Sequence, residues 1–188
     1  MLDPIKLKET YYIRSRPDVL FRLVNEPKRR VKWDRNLRSM TYVGEERLVG
    51  GAVVKIRLPA RLAGMSFQAR YTQLQAPSRS TLESLRGFGP IERYLQQWSF
   101  KPIPGGTEIT ASLTVNPRFN FMRRPLERLL RNMLIQTLVD LQRQVDAGGA
   151  EAMLESAREA AKEARKRRKP GKDAKDAKST AAGPKRSK

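Results

Sequence analysis

The first part of the chain is a series of short segments in which apolar and polar residues alternate. Every second residue is apolar from Met65 to Tyr71 and again from Ile109 to Val115. Successive side chains of a β-strand point to opposite faces, so this period of two predicts strands with one buried face. Turn-forming residues separate the segments. Seven strands are predicted, at residues 5–13, 40–46, 52–58, 65–75, 80–86, 92–101 and 107–116.

Two short helices are predicted between the first and second strands. The string Ser15-Arg16-Pro17-Asp18 has the composition of a helix start. Proline is accepted there because the first turn of a helix has no partner for its N–H groups. This helix should end around Asn25-Glu26-Pro27, and the second should cover residues 28–33.

From about residue 119 to residue 145 the apolar period changes from 2 to 3.6, which predicts one long amphipathic helix. Its apolar stripe consists of Leu126, Leu129, Leu130, Met133, Leu134, Leu138, Leu141 and Val145. The apolar face of a sheet and the stripe of a helix bury each other. We therefore predict an α+β fold in which a curved antiparallel sheet of about seven strands grips a long C-terminal helix.

The composition changes after residue 147, and three segments are predicted. Residues 1–147 form the helix-grip domain, and residues 148–169 form a weak Ala-, Glu- and Lys-rich helix. Residues 170–188 contain no large apolar side chain, so burial cannot offset their ordering entropy, and we predict a disordered basic tail.

The sequence contains neither histidine nor cysteine. This excludes disulfides, thiol nucleophiles, Cys/His zinc sites and every triad that needs an imidazole. We predict no metal, no cofactor and no catalytic residue set. Asp34, Tyr71 and Tyr94 are the only positions that we would test for acid–base chemistry, and Asp34 is expected to be a surface or capping residue.

The cellular compartment is also predicted from features that the sequence lacks. The absence of cysteine fits a reducing cytoplasm, and the first residues lack the layout of a signal peptide. No apolar segment is long enough for a membrane-spanning helix. We therefore predict a cytoplasmic protein.

Lysine and arginine outnumber aspartate and glutamate by 39 to 19, a formal net charge of +20. The basic residues form three clusters that are predicted to contact a polyanion, because guanidinium groups bind phosphates well. A plain solvated surface is the alternative. A nucleic acid or the ribosome is the favoured partner; an anionic membrane is less favoured because the tail has no aromatic residue to insert. The predicted polyanion-binding residues are Lys28, Arg29, Arg30, Lys32, Arg35, Arg38, Arg123, Arg124, Arg128, Arg131, Arg165, Lys166, Arg167, Arg168 and Lys169.

Several local strings resemble those of a known group of proteins. They are Arg16-Pro17-Asp18-Val19-Leu20-Phe21, Trp33-Asp34, Gly87-Phe88-Gly89-Pro90, Trp98-Ser99-Phe100-Lys101-Pro102 and Gly105-Gly106-Thr107-Glu108-Ile109-Thr110. With the element order, they resemble the START-like helix-grip superfamily of polyketide cyclases, lipid-transfer domains and birch-pollen-allergen-type proteins. The resemblance implies an elongated cavity between sheet and helix that holds an apolar or amphipathic small molecule.

The favoured function is non-catalytic binding of a lipophilic small molecule in this cavity. The alternatives are a nucleic-acid- or ribosome-associated protein and a cyclase-type enzyme. Thr137 lies on the apolar stripe, where its hydroxyl would bind either a ligand or the carbonyl four residues earlier. The predicted lining residues are Trp33, Phe67, Tyr71, Phe88, Tyr94, Trp98, Met133, Leu134, Thr137 and Leu138.

Overall fold

The computed structural model describes residues 3–168, and the side chains of residues 3–148. The backbone divides into two compact units, of which the first ends at Ala147 and the second begins at Gly148. The predicted helix at 148–169 is helical in the second unit as far as Arg168. Lys169 and the predicted tail at residues 170–188 lie outside the described residues.

The first unit contains one antiparallel sheet of seven strands in the order β1-β7-β6-β5-β4-β3-β2. The strands are β1 (Ile5–Ile13), β2 (Ser39–Val43), β3 (Val53–Arg57), β4 (Ser66–Gln75), β5 (Arg79–Ser84), β6 (Ile91–Ile103) and β7 (Gly106–Pro117). All neighbours except β1 and β7 are consecutive in the chain, so the sheet is built from hairpins, and the first strand pairs with the last.

Three helices accompany the sheet: α1 (Pro17–Asn25), α2 (Pro27–Trp33) and α3 (Arg123–Arg168). Both short helices begin with proline at the position where its missing N–H costs nothing. A 3₁₀ turn at Ala60–Leu62 lies between β3 and β4, and a second at Asn120–Met122 leads into α3. The predicted helix-grip α+β fold, with two short helices after the first strand and a long helix packed on the sheet, is confirmed.

The core lies between the inner face of the sheet and α3. The alternation in β7 buries Ile109, Ala111, Leu113 and Val115. The facing side of the helix buries residues at three- and four-residue intervals, namely Leu126, Leu130, Leu134, Leu138 and Leu141. Leu129, which the predicted stripe includes, is 42% exposed because it lies at the edge of the stripe.

Gly89 allows two loops to meet at one end of the sheet. Its φ angle of +51° is in the left-handed region, and a Cβ atom there would collide with the sulfur of Met65. Glycine alone satisfies both conditions without strain. The loop before β6 is thereby packed against the segment that precedes β4.

Candidate functional site

A cavity of about 380 Å³ lies between the sheet and α3. Its wall is mostly apolar and comes from four strands, the loops near them, and the helices α2 and α3. Representative apolar side chains are Ile56 of β3, Phe67 of β4, Leu113 of β7, and Leu126, Leu130 and Leu134 of α3. The cavity is therefore volume that the side chains of the sheet and of α3 leave unfilled.

One side of the cavity is aromatic. Phe67 and Phe88 stack face to face, with ring centroids 3.9 Å apart and an interplanar angle of 2°. The ring of Tyr94 lies 5.6 Å from Phe67 and 6.2 Å from Phe88. Mutual packing of the three rings holds this wall in place.

The structure brings six of the ten predicted lining residues to the cavity wall. They are Phe67, Phe88, Tyr94, Met133, Leu134 and Thr137. The other four are buried elsewhere in the core: Trp33, Tyr71, Trp98 and Leu138.

Specific contacts keep the other four away from the cavity. Trp33 donates its indole N–H to the carbonyl of Leu23 at 3.0 Å, and Tyr71 donates its hydroxyl to the carbonyl of Asn25 at 2.7 Å. The ring of Trp98 stacks on the ring of Phe100, with centroids 6.3 Å apart, and Leu138 is fully buried in the core. Alternation predicts which residues point inward, but it does not separate those that pack from those that face empty space.

The polar part of the wall includes a buried ion pair. Arg30 and Asp34 are one helical turn apart, and only 5% and 2% of their surfaces are exposed. The Nε of Arg30 lies 3.2 Å from Oδ2 of Asp34, and its Nη2 donates to Oε1 of Gln96 at 3.3 Å. The guanidinium also lies 5.7 Å from the centre of the Trp98 ring.

This arrangement corrects the prediction for Arg30 and decides between the two alternatives for Asp34. Arg30 does not belong to the basic surface, because α2 turns it inward while its basic neighbours in the sequence stay exposed. Asp34, predicted as a surface or capping residue, is not on the surface, but it is the capping residue at the C-terminal end of α2. It is buried at the end of α2, where its Oδ1 also accepts the backbone N–H of Asn36 at 3.0 Å.

Asn36 connects this ion pair to α3. Its Nδ2 donates to the carbonyl of Met133 and to the hydroxyl of Thr137, both at 2.9 Å. That hydroxyl donates to Oδ1 of Asp34 at 3.3 Å. Arg61 reaches the same cluster from the Ala60–Leu62 turn and donates to Oδ1 of Asn36 at 2.8 Å. The Thr137 hydroxyl therefore takes part in a hydrogen-bond network within the wall.

Sequence reasoning missed several polar lining residues. Gln96 carried a signal, because it lies between Tyr94 and Trp98 on the inward face of the same strand. Asn36 and Arg61 lie outside strands and helices with a clear period, so no pattern indicated them. The inward direction of Arg30 depends on the exact phase of a helix of only seven residues.

Three polar groups of the wall have no hydrogen-bond partner within the described side chains. They are Nη1 of Arg30, Nε2 of Gln96 and the hydroxyl of Tyr94. The first two groups can only donate hydrogen bonds, and the third can donate or accept one. One part of an apolar cavity can thus bind an oxygen atom of a ligand.

Burial raises the pKa of Tyr94 to about 12; Arg30 opposes this shift and Asp34 adds to it. Burial likewise raises the pKa of Tyr71, although Arg30 again opposes the shift. Both phenols therefore remain neutral at physiological pH.

The raised pKa of Tyr94 predicts a loss of stability in strong alkali. Above about pH 10 a tyrosine of the unfolded chain gives up its proton, whereas the folded protein retains it. The free energy of unfolding should therefore fall from about pH 10 to about pH 12, and Tyr94→Phe should weaken this fall. Urea unfolding of both proteins at about pH 9 and about pH 11 measures it. An equal fall in the free energy of unfolding between these two pH values in both proteins would contradict the prediction.

The other predicted basic residues around α2 are on the surface. Lys28, Arg29, Lys32, Arg35 and Arg38 are all exposed. Three form ion pairs, Lys28 with Glu46, Arg29 with Glu26, and Arg35 with Asp140. Within the described side chains, Lys32 and Arg38 form none.

Only some of the basic residues at the start of α3 form ion pairs. Arg123 lies 3.9 Å from Asp3, and Arg131 lies 3.4 Å from Glu127. Arg124 and Arg128 are exposed and form no ion pair within the described side chains. Of the last cluster, Arg165, Lys166, Arg167 and Arg168 are described only as helical backbone, and Lys169 lies outside the described residues.

Among the described residues, no group of three or more acidic, histidine or cysteine side chains is arranged to hold a metal ion. No helix in the described part of the chain has the length and apolarity needed to cross a bilayer.

Solved structures share this fold. The protein TTHA0849 from Thermus thermophilus is 18% identical with a TM-score of 0.65, covering 76% of this chain and 98% of its own. A START superfamily protein from Mycobacterium smegmatis is 11% identical with a TM-score of 0.65, covering 76% and 97%. The Zhui aromatase/cyclase from Streptomyces sp. R1128 is 10% identical with a TM-score of 0.67, covering 76% and 94%.

No curated protein matches the chain significantly. A family model described as polyketide cyclase / dehydrase and lipid transport matches residues 4–160. That match covers the sheet, the short helices and most of α3. The sequence match and the shared fold agree with the predicted resemblance, and the chain belongs to the polyketide cyclase / dehydrase and lipid transport family.

Proposed function

We propose that the protein binds a lipophilic small molecule in the cavity without transforming it. The observation that carries this proposal is a cavity with an apolar wall and three unpartnered polar groups, on Arg30, Gln96 and Tyr94 within the described side chains. The apolar wall would bury the body of the ligand, and the polar groups would bind an oxygen-bearing end.

The size and lining of the cavity support the proposal. A volume of about 380 Å³ is within the range of small-molecule sites, which is roughly 300–1,000 Å³. Such sites are typically apolar with a few well-placed polar groups that set ligand orientation. The family description names lipid transport, which fits a ligand of this kind.

The test has two steps. First, the purified protein is extracted with organic solvent and the extract is analysed by mass spectrometry. Second, fatty acids, quinones and aromatic polyketides are screened for a rise in melting temperature. Each fatty acid is paired with the alkane of equal length, and the acid should produce the larger rise. The proposal is wrong if nothing co-purifies and no compound raises the melting temperature.

A second candidate function is contact with a nucleic acid or the ribosome in the cytoplasm. The supporting observation is the group of exposed basic residues in and just after α2. Two of them, Lys32 and Arg38, have no acidic partner within the described side chains. Binding to single-stranded RNA should then weaken steeply with salt, and Lys32→Glu/Arg38→Glu should weaken it further. Undetectable or salt-independent binding would reject this candidate.

A further inference from the structure

Two phenylalanines stand exposed where β7 leads into α3. Phe121 is 80% exposed and Phe119 is 46% exposed. Their rings stack on each other with centroids 5.7 Å apart. Leu129, two turns into the helix, is also exposed. Large apolar residues grouped together on a surface mark an interaction site more often than scattered ones do.

Exposed arginines flank these apolar residues along the chain. Arg118 precedes Phe119 directly, and Arg124 and Arg128 follow it one turn apart on the exposed side of α3. None of the three forms an ion pair within the described side chains. We call Phe119, Phe121, Leu129, Arg118, Arg124 and Arg128 together the arginine–phenylalanine surface.

This surface shares a residue with the cavity wall and adjoins another in the chain. Met122 belongs to the same 3₁₀ turn as Phe121, and its side chain lines the cavity. Leu129 lines the cavity while remaining 42% exposed. Apolar residues next to the exposed rings in the chain are therefore part of the cavity wall.

We propose that the arginine–phenylalanine surface docks the protein on an anionic lipid bilayer, with the phenylalanines inserted and the arginines at the headgroups. Aromatic side chains insert at the boundary between headgroups and acyl chains, and nearby arginines gain from the negative surface potential. The predicted basic tail lacks such residues, whereas this surface has them.

A nucleic acid explains the same surface less well. Stacked bases need free ring faces, and the mutual stacking of Phe119 and Phe121 leaves only the outer faces of this ring pair for a base. Base stacking also gives no reason for a residue of this surface, Leu129, to line a cavity. A bilayer does, because a lipophilic molecule could pass between membrane and cavity without crossing water. This route rests on the proposed function, whereas docking itself is measured separately.

The docking test uses the full chain and vesicles of phosphatidylcholine, with or without about one-third phosphatidylglycerol. The protein should co-sediment with the anionic vesicles and much less with the neutral ones. Phe119→Ser/Phe121→Ser should weaken binding about tenfold. The control Val19→Ser/Val43→Ser removes two exposed apolar residues outside this surface, 42% and 45% exposed, and should bind as the wild type does.

A second pair of variants distinguishes the effect of this surface on vesicle binding from the effect of the total charge. Arg124→Glu/Arg128→Glu and Lys32→Glu/Arg38→Glu change the total charge equally. Only the first should weaken vesicle binding about tenfold. Equal losses in both variants would mean that overall charge drives binding and would overturn the proposal.

Fluorescence reports whether the surface inserts. Trp33 and Trp98 are buried, so Phe121→Trp adds one exposed reporter. Its emission should shift to the blue on anionic vesicles and be quenched by brominated lipids. A response to single-stranded RNA but not to vesicles would overturn the proposal. Fatty-acid binding without vesicles is measured on Phe119→Ser/Phe121→Ser and should be unchanged, so that failure of docking and failure of ligand binding are distinguished.

Discussion

Replacing Asp34 by alanine is expected to lower the free energy of unfolding by about 3–5 kcal/mol, because it leaves a buried cation without its counter-ion. Arg30 is only 5% exposed, and its Nε would lose the Asp34 carboxylate 3.2 Å away. The N–H of Asn36 and the hydroxyl of Thr137 would also lose their acceptor. Urea unfolding at neutral pH measures the loss.

Asp18→Ala is the matched control for this measurement. It also removes an aspartate that is paired with an arginine, but Arg16 and Asp18 are both well exposed. Water screens exposed pairs, so the free energy of unfolding should change little. A similar loss in the two variants would contradict the role of burial. Replacing both Arg30 and Asp34 by apolar residues should recover much of the stability, since neither charge of this pair then remains buried.

Met133→Trp is expected to block ligand binding while the protein stays folded. Met133 lines the cavity and is only partly buried, so a larger ring can extend into the empty volume. A ring that displaces roughly 100 Å² of ligand contact costs binding about 2.5 kcal/mol, which weakens the affinity roughly seventyfold. Titration with a fluorescent fatty-acid analogue measures the dissociation constant, and circular dichroism checks the fold.

Gln142→Trp is the control on the same helix. Gln142 is exposed and lies outside the cavity wall, so this variant should bind the analogue as the wild type does. Unchanged affinity in Met133→Trp would place the ligand elsewhere and would count against the proposed function. Loss of affinity in both variants would indicate a general effect of added tryptophan.

The elements of the fold were largely predictable because local patterns encode them. The alternation in β1 predicted its bounds, and Pro17 predicted the start of α1. The second helix was predicted from residue 28, whereas α2 begins one residue earlier, at Pro27. The strand predicted at residues 40–46 was too long: β2 ends at Val43, where Gly44 takes a φ angle of +95°. Sequence composition did not reveal that the backbone turns at this glycine.

The candidate site was predictable only in part. The alternation of residues along β6 identified its inward face and therefore Tyr94. The same alternation places Gln96 on that face, although Gln96 was not predicted. Arg30 was misplaced because it stands among other basic residues, and its orientation depends on the phase of a seven-residue helix. The exposure of Phe121 depends on how the 3₁₀ turn leaves the sheet, which no local pattern specifies.

By itself, the sequence determined which residues are apolar and at what period they recur, and hence the strands, the long helix and their buried faces. Local sterics and the hydrophobic effect act through these patterns, so they can be recognised one segment at a time. Only the tertiary structure decided where the sheet and α3 leave empty space, and that Arg30 and Asp34 face it. Such a space depends on the distance between elements that are far apart in the chain, and that distance results from the packing of the whole core.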